Sequence, residues 1–201
     1  MLKKSILLLA LFSSMFCMSV MAQDWKSLLG GVAKNVIGDK LTTSQSLIGT
    51  WNYTGPDCSF KSEQLLAKAG GEVVAVKVEE ELSKVFDKLG LNACSYTFNS
   101  DSTYSFTLKK RTIYGIYSFN QETKTITMTS RLGITQTAQV AVTGSSMSLL
   151  FNADKLMAVL TTLTRMASKV SSMGATVNGL IDNYDGLLLG FSLKKAETAA
   201  Q

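Results

Sequence analysis

The stretch Ala93-Cys94-Ser95-Tyr96-Thr97-Phe98-Asn99-Ser100-Asp101-Ser102-Thr103-Tyr104-Ser105-Phe106-Thr107-Leu108 decides the fold. Tyr96 and Phe98 alternate with Ser95 and Thr97. After the polar turn Asn99–Ser102, Tyr104, Phe106 and Leu108 alternate with Ser105 and Thr107. A period of two with polar partners gives a strand with one buried face and one wet face. The Asn-Ser-Asp-Ser run is turn chemistry that joins antiparallel neighbours.

The same pattern extends in both directions. Toward the C-terminus, Ile113 to Phe119 is a strand, Asn120-Gln121-Glu122-Thr123 turns the chain, and Ile126 and Met128 alternate with threonines. Gly133 to Thr143 follows, then Gly144-Ser145 turns into Met147, Leu149 and Phe151. Leu187 to Leu193 is the last strand and Leu47 to Thr54 the first, which Gly55-Pro56-Asp57 is expected to end as a turn.

The strands number eight, and short connections between most of them imply sequential antiparallel pairing. The expected fold is mainly β, an eight-stranded antiparallel up-and-down barrel. Helical sequence interrupts it twice, at about 62–90 and 153–182. Val74, Val78, Leu82, Val85, Phe86 and Leu89 form one helical stripe, ended at Gly90-Leu91. Leu156, Val159, Leu160, Leu163, Met166, Ala167 and Val170 form another. These are the first and seventh connections, which lie at the same end of an up-and-down barrel, so both are expected to cover one mouth.

Ahead of the barrel, residues 1–22 have the form of a signal peptide. Lys3 and Lys4 precede an apolar run too short for a membrane span, and Val20-Met21-Ala22 precedes the expected cut at Gln23. Phe16 before Cys17 argues against lipid-anchor processing. Residues 23–46 are an amphipathic helix (Trp25, Leu28, Leu29, Val32, Val36, Ile37) and a lead-in, expected to pack near the opposite end. The barrel domain is 47–195, and 196–201 is a polar tail. The expected location is periplasmic or secreted. There, Cys58 and Cys94 are read as a disulfide clamping the base of the first insertion.

Composition narrows the function. The chain carries 20 Lys+Arg against 15 Asp+Glu, and its charge of +5 falls to +3 without Lys3 and Lys4, too little to indicate nucleic acid. There is no histidine, so the commonest general base and metal ligand are missing. Glu79-Glu80-Glu81 fans around a helix instead of converging, and no phosphate-binding glycine loop is present. A Ser-Lys or Tyr-Arg arrangement inside the barrel, through Tyr104, Arg111, Tyr117 or Arg131, is the remaining catalytic reading. The expectation is a protein that is not an enzyme, with no metal, no cofactor and no transmembrane span. Asp101-Ser102-Thr103 resembles a short O-glycosylation motif of exported bacterial proteins, but an ordinary Asp-Ser turn is the favoured reading.

Gly49-Thr50-Trp51, opening the first strand, resembles the Gly-x-Trp signature of lipocalins and related barrels. The layout, with a helical insertion before Cys94, is similar to a lipocalin-like family of secreted bacterial proteins of uncharacterised function. The resemblance implies that Trp51 packs near a basic residue of the last strand, Lys194 or Lys195. It also implies a carrier of small hydrophobic molecules. Lipocalins have an open mouth and a C-terminal helix outside the barrel, whereas this chain places helices over the mouth.

The inward-facing residues are the candidate ligand lining: Tyr96, Phe98, Tyr104, Phe106, Tyr117, Met128, Leu149, Phe151, Leu189 and Phe191. They could enclose an apolar cavity with a few phenols to orient a ligand. They could equally fill a barrel of this size completely. A filled barrel would make the protein an interaction module (an inhibitor, adaptor or assembly subunit) that works through its outer surface.

Overall fold

A computed structural model describes residues 41–61, 70, 72–156 and 186–197. The expected signal peptide, the amphipathic helix over Trp25–Ile37, most of the second insertion and the end of the tail lie outside the described residues. Within them, eight antiparallel strands close into a barrel in sequence order. They are β1 (Gly49–Phe60), β2 (Cys94–Phe98), β3 (Thr103–Leu108), β4 (Arg111–Asn120), β5 (Thr125–Ser130), β6 (Thr135–Thr143), β7 (Ser146–Asn152) and β8 (Leu187–Lys195). A short helix α1 (Ser44–Leu47) precedes β1, and α2 (Glu72–Leu89) lies between β1 and β2.

Alternation places Tyr96 and Phe98 of β2, Ile126 and Met128 of β5, Met147, Leu149 and Phe151 of β7, and Leu189, Phe191 and Leu193 of β8 inside, all buried. Their polar neighbours face outward, where hydroxyls pair across strands: Thr50 with Thr97 at 3.0 Å, Thr107 with Thr112 at 3.1 Å and Thr129 with Thr135 at 3.0 Å. Connections one, three, five and seven share one end, which we call the insertion end. The N-terminal lead-in and the even-numbered turns occupy the other, the lead-in end.

The lead-in end is closed by directional bonds. Thr43 caps α1 in a reciprocal box with Ser46. The Trp51 indole N–H donates to the Leu47 carbonyl at 2.8 Å. Buried Thr42 accepts the Val142 backbone N–H at 2.8 Å through its hydroxyl, and its carbonyl accepts from the Lys124 ammonium at 3.0 Å. Lys195, opposite Trp51 in the β1–β8 register, holds its ammonium 5.2 Å from the indole ring centre. Gly49 makes room for this: at φ +128 a Cβ there would lie 2.8 Å from Lys195 Cε.

The insertion end is closed by packing. One face of α2 buries Val78, Leu82, Val85 and Phe86 into the barrel. The helix stops at Gly90, which takes φ +72, and Leu91 is buried just beyond it.

Two expectations are corrected here. Gly55-Pro56-Asp57 does not end the first strand: β1 runs through it to Phe60, with Pro56 opposite Phe191. Past Asn52, β1 no longer pairs with β2 and keeps only β8, and the register shifts between Tyr53 and Gly55. A strand flank without a partner is where proline is admitted. Nor do Cys58 and Cys94 form a disulfide. Extending the Asn52–Ser95 register sets Cys94 level with Tyr53, well short of Cys58 along β1. At about 3.3 Å per residue the offset is roughly 16 Å, against the ~7 Å Cα limit of a disulfide. Cys58 instead donates to the Ala75 carbonyl of α2 at 3.3 Å.

Candidate functional site

The interior of the barrel is a continuous set of aromatic contacts. Tyr96 lies 4.8 Å from Phe106, 6.1 Å from Phe98 and 5.9 Å from Phe191, centre to centre. Phe98 reaches Tyr117 at 5.2 Å and Tyr104 at 6.4 Å, and Phe151 meets Phe191 edge-on at 6.2 Å. Seven of the ten expected lining residues therefore form one ring network. Met128, Leu149 and Leu189 are buried in the same core cluster.

Two members of the network were absent from that expected lining. Phe86 of α2 stacks on Phe191 with centres 5.0 Å apart and planes at 24°. Tyr53 touches both, at 6.2 Å from Phe86 and 6.3 Å from Phe191. The helical stripe marked Phe86 as buried, but periodicity along one helix does not say which wall it meets. Tyr53 was hidden because the bulge beside it interrupts the alternation of β1.

Polar groups facing the interior are few, and they are held neutral. Burial pushes the Cys94 thiol up to about 12. Burial, with smaller contributions from Asp87 and Cys94, pushes the Tyr53 phenol to about 12. Tyr96 is raised well above its ordinary value, chiefly by burial. The Tyr117 hydroxyl is already committed to the Asn99 carbonyl at 2.8 Å. Among the described residues every buried side-chain nitrogen or oxygen has a partner.

The arginines offered as catalytic partners of these phenols are not inside. Arg111 and Arg131 are both exposed, and Arg131 sits over the outward-facing Tyr114 ring, 5.4 Å from its centre. Among the described residues no three His, Cys, Asp or Glu side chains converge as metal ligands, and no helix is long and apolar enough to cross a membrane. Asp101 accepts from the Thr103 backbone N–H at 3.0 Å and from the Thr103 hydroxyl, so Asp101-Ser102-Thr103 forms an Asx turn with Ser102 exposed.

A second concave feature is a groove of about 250 Å³ lined by residues that include Asp57, Ser59, Lys124, Ser148 and Ser192. None of the ten expected lining residues touches it. On β1, β7 and β8 its polar side chains alternate with the inward-facing ones. Asp57 is only 4% exposed although it points outward, and it accepts a hydrogen bond from Ser148. Local sequence could not reveal this pair, because it joins β1 to β7 across β8 at Gly190.

A family model described as "Lipocalin-like domain (DUF4923)" matches residues 25–195. The crystal structure of a DUF4847 family protein from Bacteroides vulgatus is similar over 83% of this chain and 99% of its own, with 9% identity and a TM-score of 0.35. No curated protein matches the sequence.

Proposed function

The chain belongs to the lipocalin-like DUF4923 family, and from that premise we propose that it is an exported, non-catalytic protein that binds a small hydrophobic molecule inside the barrel. The observation that carries this reading is the Phe86–Phe191 stack. The ring that stacks on Phe191 from the insertion end belongs to α2, a separate helix in a connection, and not to a strand of the wall. Lifting α2 would withdraw Phe86, Val78, Leu82 and Val85 together and leave an apolar chamber bordered by the Tyr53 and Tyr96 phenols. Such a helix is a stopper that a ligand of similar shape can replace.

Export rests on the signal-like residues 1–22 and cleavage before Gln23. The absence of histidine and the outward position of Arg111 and Arg131 support the non-catalytic reading.

A second reading is an interaction module with a permanently filled barrel. The close ring contacts from Phe98 to Phe151 favour it. Native mass spectrometry of the protein recovered from bacterial export separates the two. An extra mass released by organic extraction supports the carrier, and a bare mass favours the module. Phe86→Ala sharpens the test by removing the stopper ring. We expect uptake of an apolar fluorophore to rise at least tenfold over the parent protein, with stability lower by about 3 kcal/mol. A variant that stays folded yet takes up no fluorophore would exclude the carrier reading.

A further inference from the structure

Among the described residues, exposed apolar side chains are most numerous in one part of the barrel. Of the large hydrophobic residues that stand in solvent among the described residues, five of eight lie between positions 113 and 134, including Leu132 at 78%, Ile116 at 63% and Ile134 at 56% exposed. They converge in space. Tyr114 and Ile116 face outward on β4 beside the end of β5, with Ile116 opposite Thr129. Arg131 donates its backbone N–H to the Tyr114 carbonyl at 2.9 Å and lays its guanidinium on the Tyr114 ring. Leu132 and Ile134 follow at the β5–β6 tip, which is pinned by the Ser130 N–H to the Ile134 carbonyl at 2.9 Å and the Ile134 N–H to the Ser130 hydroxyl at 3.2 Å. The apolar tip is therefore a formed turn.

Among the described residues the charge around it is mostly positive, the nearest acid being exposed Asp154, which follows β7 and comes level with Thr135 when the β6–β7 register is carried on. From Ser102 to Ala153 the only acid is Glu122, and it lies in the β4–β5 turn at the lead-in end. At the insertion end the neighbouring β3–β4 turn carries Lys109, Lys110 and Arg111, and the β5–β6 turn carries Arg131. The acids Glu79, Glu80 and Glu81 sit in the middle of α2, whose main contact is β1, and only the end of that helix, at Gly90, comes against Lys109 of the β3–β4 turn. An apolar tip, a tyrosine and a set of cations that outnumber the nearby acid match the layers of an anionic lipid surface: acyl boundary, headgroup carbonyls and phosphates. An acidic protein surface would use the cations but would not need Leu132 and Ile134 standing free.

We propose that the β3–β6 rim of the insertion end is a docking surface for an anionic lipid bilayer. Leu132 and Ile134 enter the acyl boundary, Tyr114 sits at headgroup depth, and Lys110, Arg111 and Arg131 contact phosphates. This surface does not depend on an internal ligand and would act in either reading of the barrel.

The test is co-sedimentation of the exported protein with large unilamellar vesicles of phosphatidylglycerol and phosphatidylcholine, against pure phosphatidylcholine, in 0.1 M salt. Binding to the anionic vesicles is expected, and it should fall at least tenfold in Leu132→Asp/Ile134→Asp. Lys110→Glu/Arg131→Glu should abolish the preference for the anionic vesicles. Both sites are exposed, so melting temperatures should stay near that of the parent, which separates loss of docking from loss of fold. No binding by the parent protein would overturn the proposal. Undiminished binding by the double aspartate variant would place the lipid affinity elsewhere and overturn it too. A parent dimer in sedimentation equilibrium, dissolved by the same variant, would reassign the patch to self-association.

Discussion

The two ends of the barrel are closed by different physics. At the lead-in end, closure consists of directional bonds with defined partners: Trp51 to Leu47, Val142 to Thr42, Lys124 to Thr42 and the Lys195 ammonium over the Trp51 ring. At the insertion end, among the described residues, it is an amphipathic helix laid on apolar walls, with Phe86 against Phe191. Hydrogen bonds to buried backbone groups are costly to leave unmade, whereas apolar packing is non-directional and tolerates sliding. The first end is built to stay shut. The second is held mainly by apolar contacts among the described residues, together with the Cys58–Ala75 hydrogen bond.

The strongest challenge to this contrast is Trp51→Ala. It deletes a fully buried indole, the Leu47 bond and the platform under Lys195. We expect a loss of about 4 kcal/mol in urea unfolding, near the top of the range for aromatic truncation. A loss under about 1 kcal/mol would mean that the lead-in end is no more rigid than the other.

Alkaline pH probes the insertion end. Cys94 and Tyr53 have ordinary values of 9.0 and 10.0, and in the fold both are raised to about 12. Between these values the unfolded chain releases protons that the folded chain retains. The stability is therefore complete below pH 9 and lost as pH rises toward 12. Melting should drop by roughly 5 °C or more from pH 8 to pH 11, and Cys94→Ala should flatten the slope. A flat profile in the parent protein would show that both groups already reach water.

Gly49→Ala is the smallest and most local perturbation, with about 2 kcal/mol expected from the positive φ and the encounter with the lysine stem. Part of that cost should vanish in a Lys195→Ala background, giving a measurable coupling in a double-mutant cycle. Simple additivity would reduce Gly49 to a backbone requirement, with no part in seating the lysine.

Local pattern predicted much of this. Eight alternating segments, the stripe of α2, the Gly90 stop and the Gly-x-Trp opening are all features that nearest neighbours along the chain determine. A basic partner for Trp51 from the last strand came from the family resemblance, and Lys195 holds that place. The misreadings share a cause as well. Pro56 looked like a strand end because sequence cannot show that β1 has lost one of its two neighbours there. Cys58 and Cys94 looked like partners because their count and compartment allowed it, while the register that separates them is set by distant pairing. The ring from α2 that completes the interior, the buried Asp57–Ser148 pair and the Arg131–Tyr114 contact are non-local in the same way.

The β1–β8 seam has a consequence for how the protein acquires its shape. Trp51 through Phe60 find their partners in Lys195 through Leu187, so the first strand to leave the ribosome pairs most extensively with the last. The hairpins from β2 to β7 can assemble as the chain emerges, but the seam must await the whole polypeptide, a topology that folds slowly. A chain released before β8 would be left with two open edges and a half-formed interior, competent for aggregation and for little else.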